Sequence, residues 1–166
     1  MTQKKVALVT GANKGLGLKI SRQLAQQRIK VVMGVRNDTK GRIAADQLLQ
    51  AILDVEFYCL DVTKTESIKL IRDYLDKTYG KLDILVNNAG ICLNRNQQPS
   101  EVSLDAIRKT FETNFFGVVA ITQALLPFLM VTREVFLTLD ILYRGSRDTL
   151  LRFFLGNATT PCHKIK

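Results

Sequence analysis

A glycine-rich segment near the amino terminus limits what this chain can fold into. The apolar run Val6–Thr10 leads into Gly11, Gly15 and Gly17, and a helical pattern begins behind it. A turn of this kind suits a dinucleotide pyrophosphate, because backbone N–H groups at a helix N-terminus bind anions. Its spacing, G-x3-G-x-G, is looser than G-x-G-x-x-G, so a plain strand-to-helix turn is the alternative.

Four apolar runs alternate with helical patterns up to about residue 130. The runs cover residues 6–10, 30–35, 55–60 and 82–86. Near-continuous apolar strands are typical of a parallel sheet that is covered on both faces. The alternation predicts an α/β chain with a Rossmann-type, doubly wound parallel sheet and helices on both faces.

Three helical segments carry local predictions. The predicted buried face of the first helix consists of Leu16, Ile20 and Leu24. Residues 63–66 have the spacing of a capping box ahead of the helix that buries Ile68, Ile71 and Leu75. Ser103 is a candidate N-cap for a long helix that runs to about Leu126.

Composition and charge argue against several classes of partner. The 166 residues are 46% hydrophobic and 23% charged, as in ordinary globular proteins, and the length suits one domain. The net charge of +9 comes from scattered basic residues without a basic run, so we expect no nucleic-acid partner. Three widely spaced cysteines and one histidine predict no metal site and favour a reducing compartment.

Neither the first apolar stretch nor the longest one predicts membrane targeting. The first apolar stretch stops at Gly11, which indicates a strand rather than a signal peptide. The most apolar run, residues 118–131, contains Pro127 and is too short to span a bilayer. We therefore expect a cytoplasmic protein without a membrane partner.

Charged residues at the ends of two predicted strands indicate the type of dinucleotide. Arg36 ends the second strand, where NAD-specific domains place an acid for the ribose 2′-hydroxyl, and an arginine there suits a 2′-phosphate. Lys14 in the glycine turn adds a second positive charge. Together they predict NADP(H), with solvated surface cations as the alternative. Asp61 is a candidate adenine-side contact, with a capping or turn role as its alternative.

Polar residues after the fourth strand complete a recognisable set. Residues 87–90 read Asn-Asn-Ala-Gly at the edge where ligands bind in open α/β sheets, although alone they would also suit a simple turn. With the glycine turn, Asp61, and Asn114 within residues 113–117, they resemble the short-chain dehydrogenase/reductase family, in family order. The match is closest to the NADPH-dependent carbonyl reductase branch and covers about residues 4–130.

The resemblance implies hydride transfer between the nicotinamide of NADP(H) and a small carbonyl or alcohol substrate. Asn114 matches the family's catalytic asparagine, which supports a proton-relay water, and a polar contact within its helix is the alternative. The residues assigned by resemblance to the cofactor are Gly11, Asn13, Lys14, Gly15, Leu16, Gly17, Arg36, Asp61, Val62, Asn88, Ala89 and Gly90.

The sequence after about residue 130 departs from the family pattern of a serine followed by Tyr-x3-Lys. Tyr143 begins only a Tyr-x3-Arg, close behind Asn114, and arginine cannot replace a compact ammonium, so chance explains it better than catalysis. We expect residues 1–130 to form the dinucleotide-binding domain. Residues 131–166 are expected to be the atypical tail of a truncated, frameshifted or alternatively spliced chain, with a fifth strand near 134–139 and a short helix near 150–155.

Two functions are therefore compatible with the sequence. One is an NADP(H)-dependent oxidoreductase of the short-chain type. The other is a catalytically impaired or inactive dinucleotide-binding fragment, or an interaction module, which lacks the serine and the Tyr-x3-Lys.

Overall fold

A computed structural model describes residues 4–93, 98–132 and 136–138 of the chain. Strands and helices alternate along it. Their order is β1 (Val6–Thr10), α1 (Gly15–Gln26), β2 (Lys30–Val35), α2 (Asp38–Leu49), β3 (Val55–Cys59), α3 (Thr65–Tyr79), β4 (Ile84–Asn87), α4 (Leu104–Phe111), α5 (Gly117–Thr132) and β5 (Phe136–Thr138). A short 3-10 turn (Pro99–Glu101) precedes α4, and a π-helical turn (Glu112–Phe116) joins α4 to α5.

The five described strands form one parallel sheet in the order β3-β2-β1-β4-β5. Leu8 in β1 lies opposite Val32 in β2 and Leu85 in β4. The chain thus builds outward from β1 to β3 on one side and then crosses to β4 and β5 on the other. This confirms the predicted fold class, and β5 lies within the segment predicted as a fifth strand.

The sheet is covered on both faces because successive side chains of a strand point to opposite sides. On one face, Leu8 packs with Ile71 of α3 and Leu125 of α5. On the other face, Val9 packs with Ala25 of α1 and with Leu48 of α2. All these side chains are buried, and the four apolar residues of β1 are divided between the two cores. This explains the near-continuous apolar strand sequences.

Three predicted strand limits were wrong by one or two residues. The third strand ends at Cys59 rather than at residue 60, and the fourth runs from Ile84 to Asn87 rather than from residue 82 to residue 86. The later start has a physical cause at Asp83, whose backbone N–H donates to the Val6 carbonyl at 2.9 Å. The Asp83 carboxylate also accepts the Val6 N–H at 2.7 Å and pairs with Lys81 at 3.0 Å, so its side chain closes the sheet edge.

The predicted buried face of α1 was wrong at its first position. Gly17 and Ser21 are buried, together with Ala25, whereas Leu16 is 48% exposed and Ile20 and Leu24 only border the core. Small residues occupy the buried stripe because they allow the helix axis to lie close to the sheet.

The helix-cap predictions had opposite outcomes. Ser103 caps α4 by accepting the Ala106 N–H at 3.2 Å, which confirms that prediction. The capping box at residues 63–66 was wrong, because α3 begins behind Lys64 without a side-chain cap. Thr63 turns instead towards Asp61, to which its hydroxyl donates at 2.8 Å. Ile68, Ile71 and Leu75 are buried as predicted.

The helical run from residue 104 to residue 129 is longer than the apolar run seen in the sequence. Because the π-helical turn continues α4 into α5, the run reaches 26 residues and is long and apolar enough to cross a membrane by length and composition alone. The expectation from the sequence concerned residues 118–131 alone, whereas the helix that holds most of this run begins at Leu104. Core helices satisfy the same two criteria, and this one buries Ile121, Leu125 and Leu129 against the sheet.

The amino-terminal edge of the sheet carries a network of paired charges. Lys30 Nζ lies 3.0 Å from Asp54 Oδ1 and 3.4 Å from Glu56 Oε2, and Lys4 also pairs with Asp54. The hydroxyl of Tyr79 donates to Glu56 at 2.7 Å. Lys4 is exposed and the other groups are partly buried, so the network joins β2, β3 and α3 with its charges largely neutralised.

The network shifts the pKa of several of its members. Burial raises the pKa of Tyr79, and the hydrogen bond to Glu56 raises it further. Burial alone would lower the pKa of Lys30, but its bonds with Asp54 and Glu56 outweigh that effect and raise it. Burial opposes ionisation of Asp54 as well, yet the hydrogen bonds from Lys4 and Lys30 bring the Asp54 pKa below its ordinary value.

Candidate dinucleotide site

The carboxyl-terminal edge of the sheet brings together the predicted site residues. Gly11 follows β1, Arg36 follows β2, Asp61 lies two residues beyond β3, and Asn88 follows β4. Strand order reverses between β1 and β4, where the chain crosses from one side of the sheet to the other. In open α/β sheets, ligands bind at the carboxyl edge beside such a reversal. The topology therefore marks the glycine turn as the centre of the candidate site.

Three glycines of the turn have different physical roles. Gly11 has φ +66°, and a Cβ there would lie 2.8 Å from the Ala89 Cα. A Cβ on Gly17 would lie 2.4 Å from Asn88 Nδ2 and 2.7 Å from the Gly11 carbonyl oxygen. Gly15 has φ +58° and has open space around its Cβ position. Two of the glycines thus let the protein pack against itself, and only Gly15 faces free volume.

The N-terminus of α1 presents backbone donors without a side-chain cap. Lys14 is the N-cap residue and makes no capping hydrogen bond, and the first turn has no acidic residue. Gly15 and Leu16, at the start of the helix, are both exposed, as is Lys14. Uncapped N–H groups and the positive end of the helix dipole favour a bound anion. A pyrophosphate therefore fits this turn.

The N-terminus of α2 is different, because side chains already occupy it. Asn37 Oδ1 accepts the Lys40 N–H at 2.9 Å, and Asp38 lies in the first turn. Arg36, directly before this cap, is exposed and makes no ion pair within the described residues. The exposed thiol of Cys59 reaches the Arg36 carbonyl at 3.7 Å, so the end of β3 adjoins this position. The positive charge of Arg36 is thus available at the sheet edge.

Asn88 is a residue that holds the turn in place. Its Nδ2 donates to the carbonyls of Thr10 at 2.9 Å and of Gly11 at 3.1 Å, which uses both of its hydrogens. Its buried position leaves the side chain facing the turn. The Asn88 amide therefore shapes the turn, and its contact with a cofactor stays a prediction.

Thr10 also holds the turn to the segment after β4, and this role was not predicted from the sequence. We call the hydrogen bonds of Thr10 and Asn88 between these two segments the clasp. Thr10 Oγ1 accepts the backbone N–H groups of Asn88 at 3.0 Å and of Ala89 at 2.9 Å, and it donates to the Val86 carbonyl at 3.3 Å. The residue is 1% exposed. A threonine at a strand end is common, and only the partner strand reveals its role.

Asp61 and Val62 lie beside the turn after β3. The Asp61 carboxylate accepts the Thr63 N–H at 3.0 Å and the Thr63 hydroxyl at 2.8 Å, both on Oδ1, so the turn role left open by the sequence is present. Oδ2 has no hydrogen-bond donor among the described residues, and Asp61 is partly exposed. Val62 is buried, and a Cβ on Gly117 would lie 2.8 Å from its Cγ2. The side chain of Val62 therefore packs against α5.

Asn114 lies in the π-helical turn and binds the segment after β4. Its Nδ2 donates to the Ile91 carbonyl at 2.9 Å, and its Oδ1 accepts the Ile91 N–H at 2.8 Å. A Cβ on Gly90 would come within 3.5 Å of Asn114 Oδ1. The side chain thus fixes the path of Gly90 and Ile91. The proton-relay role of Asn114 stays a prediction.

A second link between helix and sheet also went unpredicted. Asn87, at the end of β4, donates from Nδ2 to the Thr122 hydroxyl of α5 at 3.0 Å. No local pattern marks Thr122, because its partner is distant in sequence.

Tyr143 and the predicted helix over residues 150–155 lie outside the described residues.

Comparison with known proteins places this geometry in a family. The family model described as short chain dehydrogenase matches residues 5–135. Carbonyl reductase (NADPH) 1 of Mus musculus is 40% identical over 130 residues, which cover 77% of this chain and 46% of that protein. The human carbonyl reductase (NADPH) 1 is 43% identical over 125 residues, covering 75% of this chain and 44% of its own. The chain spans about half the length of the curated relatives it matches.

Solved structures agree on the fold. An alcohol dehydrogenase from the archaeon Thermococcus sibiricus, complexed with 5-hydroxy-NADP, superposes with a TM-score of 0.75 at 30% identity. The superposition covers 82% of this chain and 57% of that one. The family model, the curated relatives and the sheet order all lead to one conclusion. The chain belongs to the short-chain dehydrogenase family.

Proposed function

We propose that this chain binds NADP(H) at the carboxyl edge of its sheet. The observation that carries the proposal is the uncapped N-terminus of α1, where exposed Gly15 faces open space beside Lys14. Backbone donors in this arrangement bind a pyrophosphate without competing side chains. The clasp made by Thr10 and Asn88 holds the turn in shape before any ligand arrives.

The preference for NADP(H) rests on Arg36 and Lys14. Both are exposed at the edge where the ribose of a dinucleotide bound across the turn would lie, and an arginine binds a phosphate with paired, permanently charged donors. The Asp61 carboxylate, with Oδ2 uncommitted, is proposed for the adenine side. The mouse and human relatives are named as NADPH enzymes, and the archaeal structure holds an NADP derivative, which supports the same cofactor.

The proposed reaction is hydride transfer with a small carbonyl or alcohol compound. A bound nicotinamide would supply or accept the hydride at the open end of the site. Within the described residues, Asn114 and Gly90 shape the backbone there, and the buried Asn87 bond to Thr122 fixes α5 beside it. The alternative proposal is dinucleotide binding without turnover, since Tyr143 begins a Tyr-x3-Arg where the resemblance implies a Tyr-x3-Lys. Cytoplasmic location and the division of the chain at residue 130 stay predictions.

A fluorescence titration tests cofactor binding directly. We expect NADPH to bind the unmodified chain and Gly15→Ala to weaken it at least tenfold, because a side chain at φ +58° distorts the turn that holds the pyrophosphate. Gly80→Ala is the matched control, since Gly80 has φ +63° and an almost open Cβ position at the C-terminus of α3. Equal affinities for both variants, or no binding by the unmodified chain, would reject the proposal.

Turnover separates the two candidate functions. NADPH consumption with a ketone or quinone supports the oxidoreductase, and binding without consumption supports the non-catalytic chain. If activity is present and survives Tyr143→Phe, Tyr143 is not the proton donor.

A further inference from the structure

The N-terminus of α2 holds an acidic residue beside the proposed phosphate site. Asp38 is the first residue of α2 and lies two positions after Arg36, which is proposed to bind the 2′-phosphate. A free carboxylate at this place would repel a phosphate dianion and would accept a hydrogen bond from a 2′-hydroxyl. Left alone, Asp38 would therefore favour NAD(H), against the preference that Arg36 sets up.

Arg42 holds that carboxylate from the next turn of α2. Its Nε lies 2.7 Å from Asp38 Oδ2, and its Nη2 lies 3.1 Å from Asp38 Oδ1. Both carboxylate oxygens are thus engaged by one planar guanidinium, which is the geometry that fixes such pairs most firmly. Single-point contact from a lysine would leave one oxygen free to turn towards a ligand.

A second contact, with the Phe57 ring of β3, orients Arg42. The guanidinium carbon lies 5.4 Å from the centre of the Phe57 ring, within the range of a cation–π contact. The ring reaches this position because Gly41 has no side chain: a Cβ there would lie 2.1 Å from Phe57 Cε2. Packing between α2 and β3 therefore sets the direction of the Arg42 fork.

An ordinary helix ion pair is the competing explanation. Exposed pairs at a spacing of four contribute little to stability, and this one has side chains that are 67% and 53% exposed. Its position matters more than its strength, because the pair lies in the first turns of α2, the helix that directly follows Arg36 and its neighbour Asn37. We propose that Arg42 is a specificity-determining residue, which acts through Asp38 by holding its carboxylate away from the 2′-phosphate and so favours NADP(H) over NAD(H). This rests on the proposed function.

The test compares Kd values for NADPH and NADH by fluorescence titration at low salt. We expect Arg42→Met to lower the preference for NADPH by roughly three- to fivefold, the size expected for a charge interaction at an exposed site. The double variant Asp38→Asn/Arg42→Met is expected to recover the preference, because it removes the repulsion along with the guanidinium. Both variants lose the same ion pair, so an effect on folding alone would appear in each.

Arg72→Met is the matched control, since Arg72 pairs with Asp73 on α3 at similar exposure and away from the sheet edge. It should leave the ratio of the two Kd values unchanged. If Arg42→Met changes both Kd values by the same factor, or the double variant fails to recover the preference, the inference is rejected while NADP(H) binding stands. If the unmodified chain binds neither cofactor, the proposed function and this inference are both rejected.

Discussion

The two edges of the sheet use polar side chains in opposite ways. At the amino edge, Lys30 faces two carboxylates and Glu56 accepts two tyrosine hydroxyls, so charged groups meet protein partners. At the carboxyl edge, Lys14 and Arg36 are exposed and make no ion pair within the described residues, and α1 starts without a cap.

This difference separates an edge whose charges are paired within the protein from an edge whose charges are exposed at the proposed cofactor site. At the amino edge, ion pairs and hydrogen bonds between the chain's own side chains stabilise the fold. The carboxyl edge is rigid as well, but its rigidity comes from backbone contacts, since the Thr10–Asn88 clasp binds main-chain groups. Side-chain charges are left for another molecule. Variants of the two edges should therefore have different consequences.

The largest effect is expected at the most crowded glycine of the carboxyl edge. Gly17→Ala places a methyl group 2.4 Å from Asn88 Nδ2 and 2.7 Å from the Gly11 carbonyl oxygen, so the helix and turn must separate. We expect a loss of about 3 kcal/mol in the free energy of unfolding, at the upper end for overpacking, and loss of NADPH binding. Urea unfolding measures the first.

Gly15→Ala, in the same turn, is the control for crowding. It has open space and incurs only backbone strain, on the order of 1 kcal/mol. If the two variants lose equal stability, close packing does not define this edge.

A smaller loss of stability is expected when the clasp is broken by a side chain of the same shape as threonine. Thr10→Val removes the oxygen that accepts the N–H groups of Asn88 and Ala89, which directly follow β4. We expect about 2 kcal/mol of destabilisation, since a buried donor without a partner costs about 1–3 kcal/mol. Thr39→Val, on the exposed first turn of α2, should change the urea midpoint little. A Thr10→Val midpoint equal to that of the unmodified chain would show that the clasp does not hold the turn.

The smallest effect belongs to the amino edge and depends on pH. Because Lys30 and Tyr79 have raised pKa values in the folded state, their stabilisation is present below about pH 10 and is lost as the pH rises beyond it. The Asp54 pKa is lowered, so its contribution is present above about pH 4 and is lost as the pH falls through the folded-state value. Urea midpoints measured from pH 7 to 11 should fall.

Glu56→Gln tests the source of that fall. It should make the loss above pH 10 shallower and leave the NADPH Kd at pH 7 unchanged, because Glu56 is at the far edge from the turn. Glu66→Gln, an exposed acid on α3, is the control and should keep the steep loss. A steep loss in Glu56→Gln would contradict the proposed network, and a changed Kd would contradict the separation of the two edges.

Prediction from the sequence succeeded where local pattern determines structure. Strands β1 and β2 have the predicted limits because their apolar runs end at glycine or charged residues, and Ser103 caps a helix through its own next turn. The family motif placed Gly15 and Arg36 at one edge because parallel strands share their carboxyl ends.

Prediction failed where the position or role of a side chain depends on contacts that local sequence does not reveal. Leu16 fitted the helical period but lies outside the core, because the stripe of Gly17 and Ser21 is what approaches the sheet. Thr63 had capping-box spacing but turns to Asp61, and the role of Thr10 depends on a strand 76 residues away. The role of Asn114 likewise depends on Ile91, which lies 23 residues earlier in the chain.

An amide NMR titration with NADPH tests the central claim most directly, because it reads both edges of the same molecule. The account predicts that the largest chemical-shift changes occur at Gly15, Leu16 and Arg36, and that the amides of Lys30 and Tyr79 stay unchanged. Changes centred on Lys30 and Tyr79, or none at Gly15 and Leu16 under saturating NADPH, would contradict it.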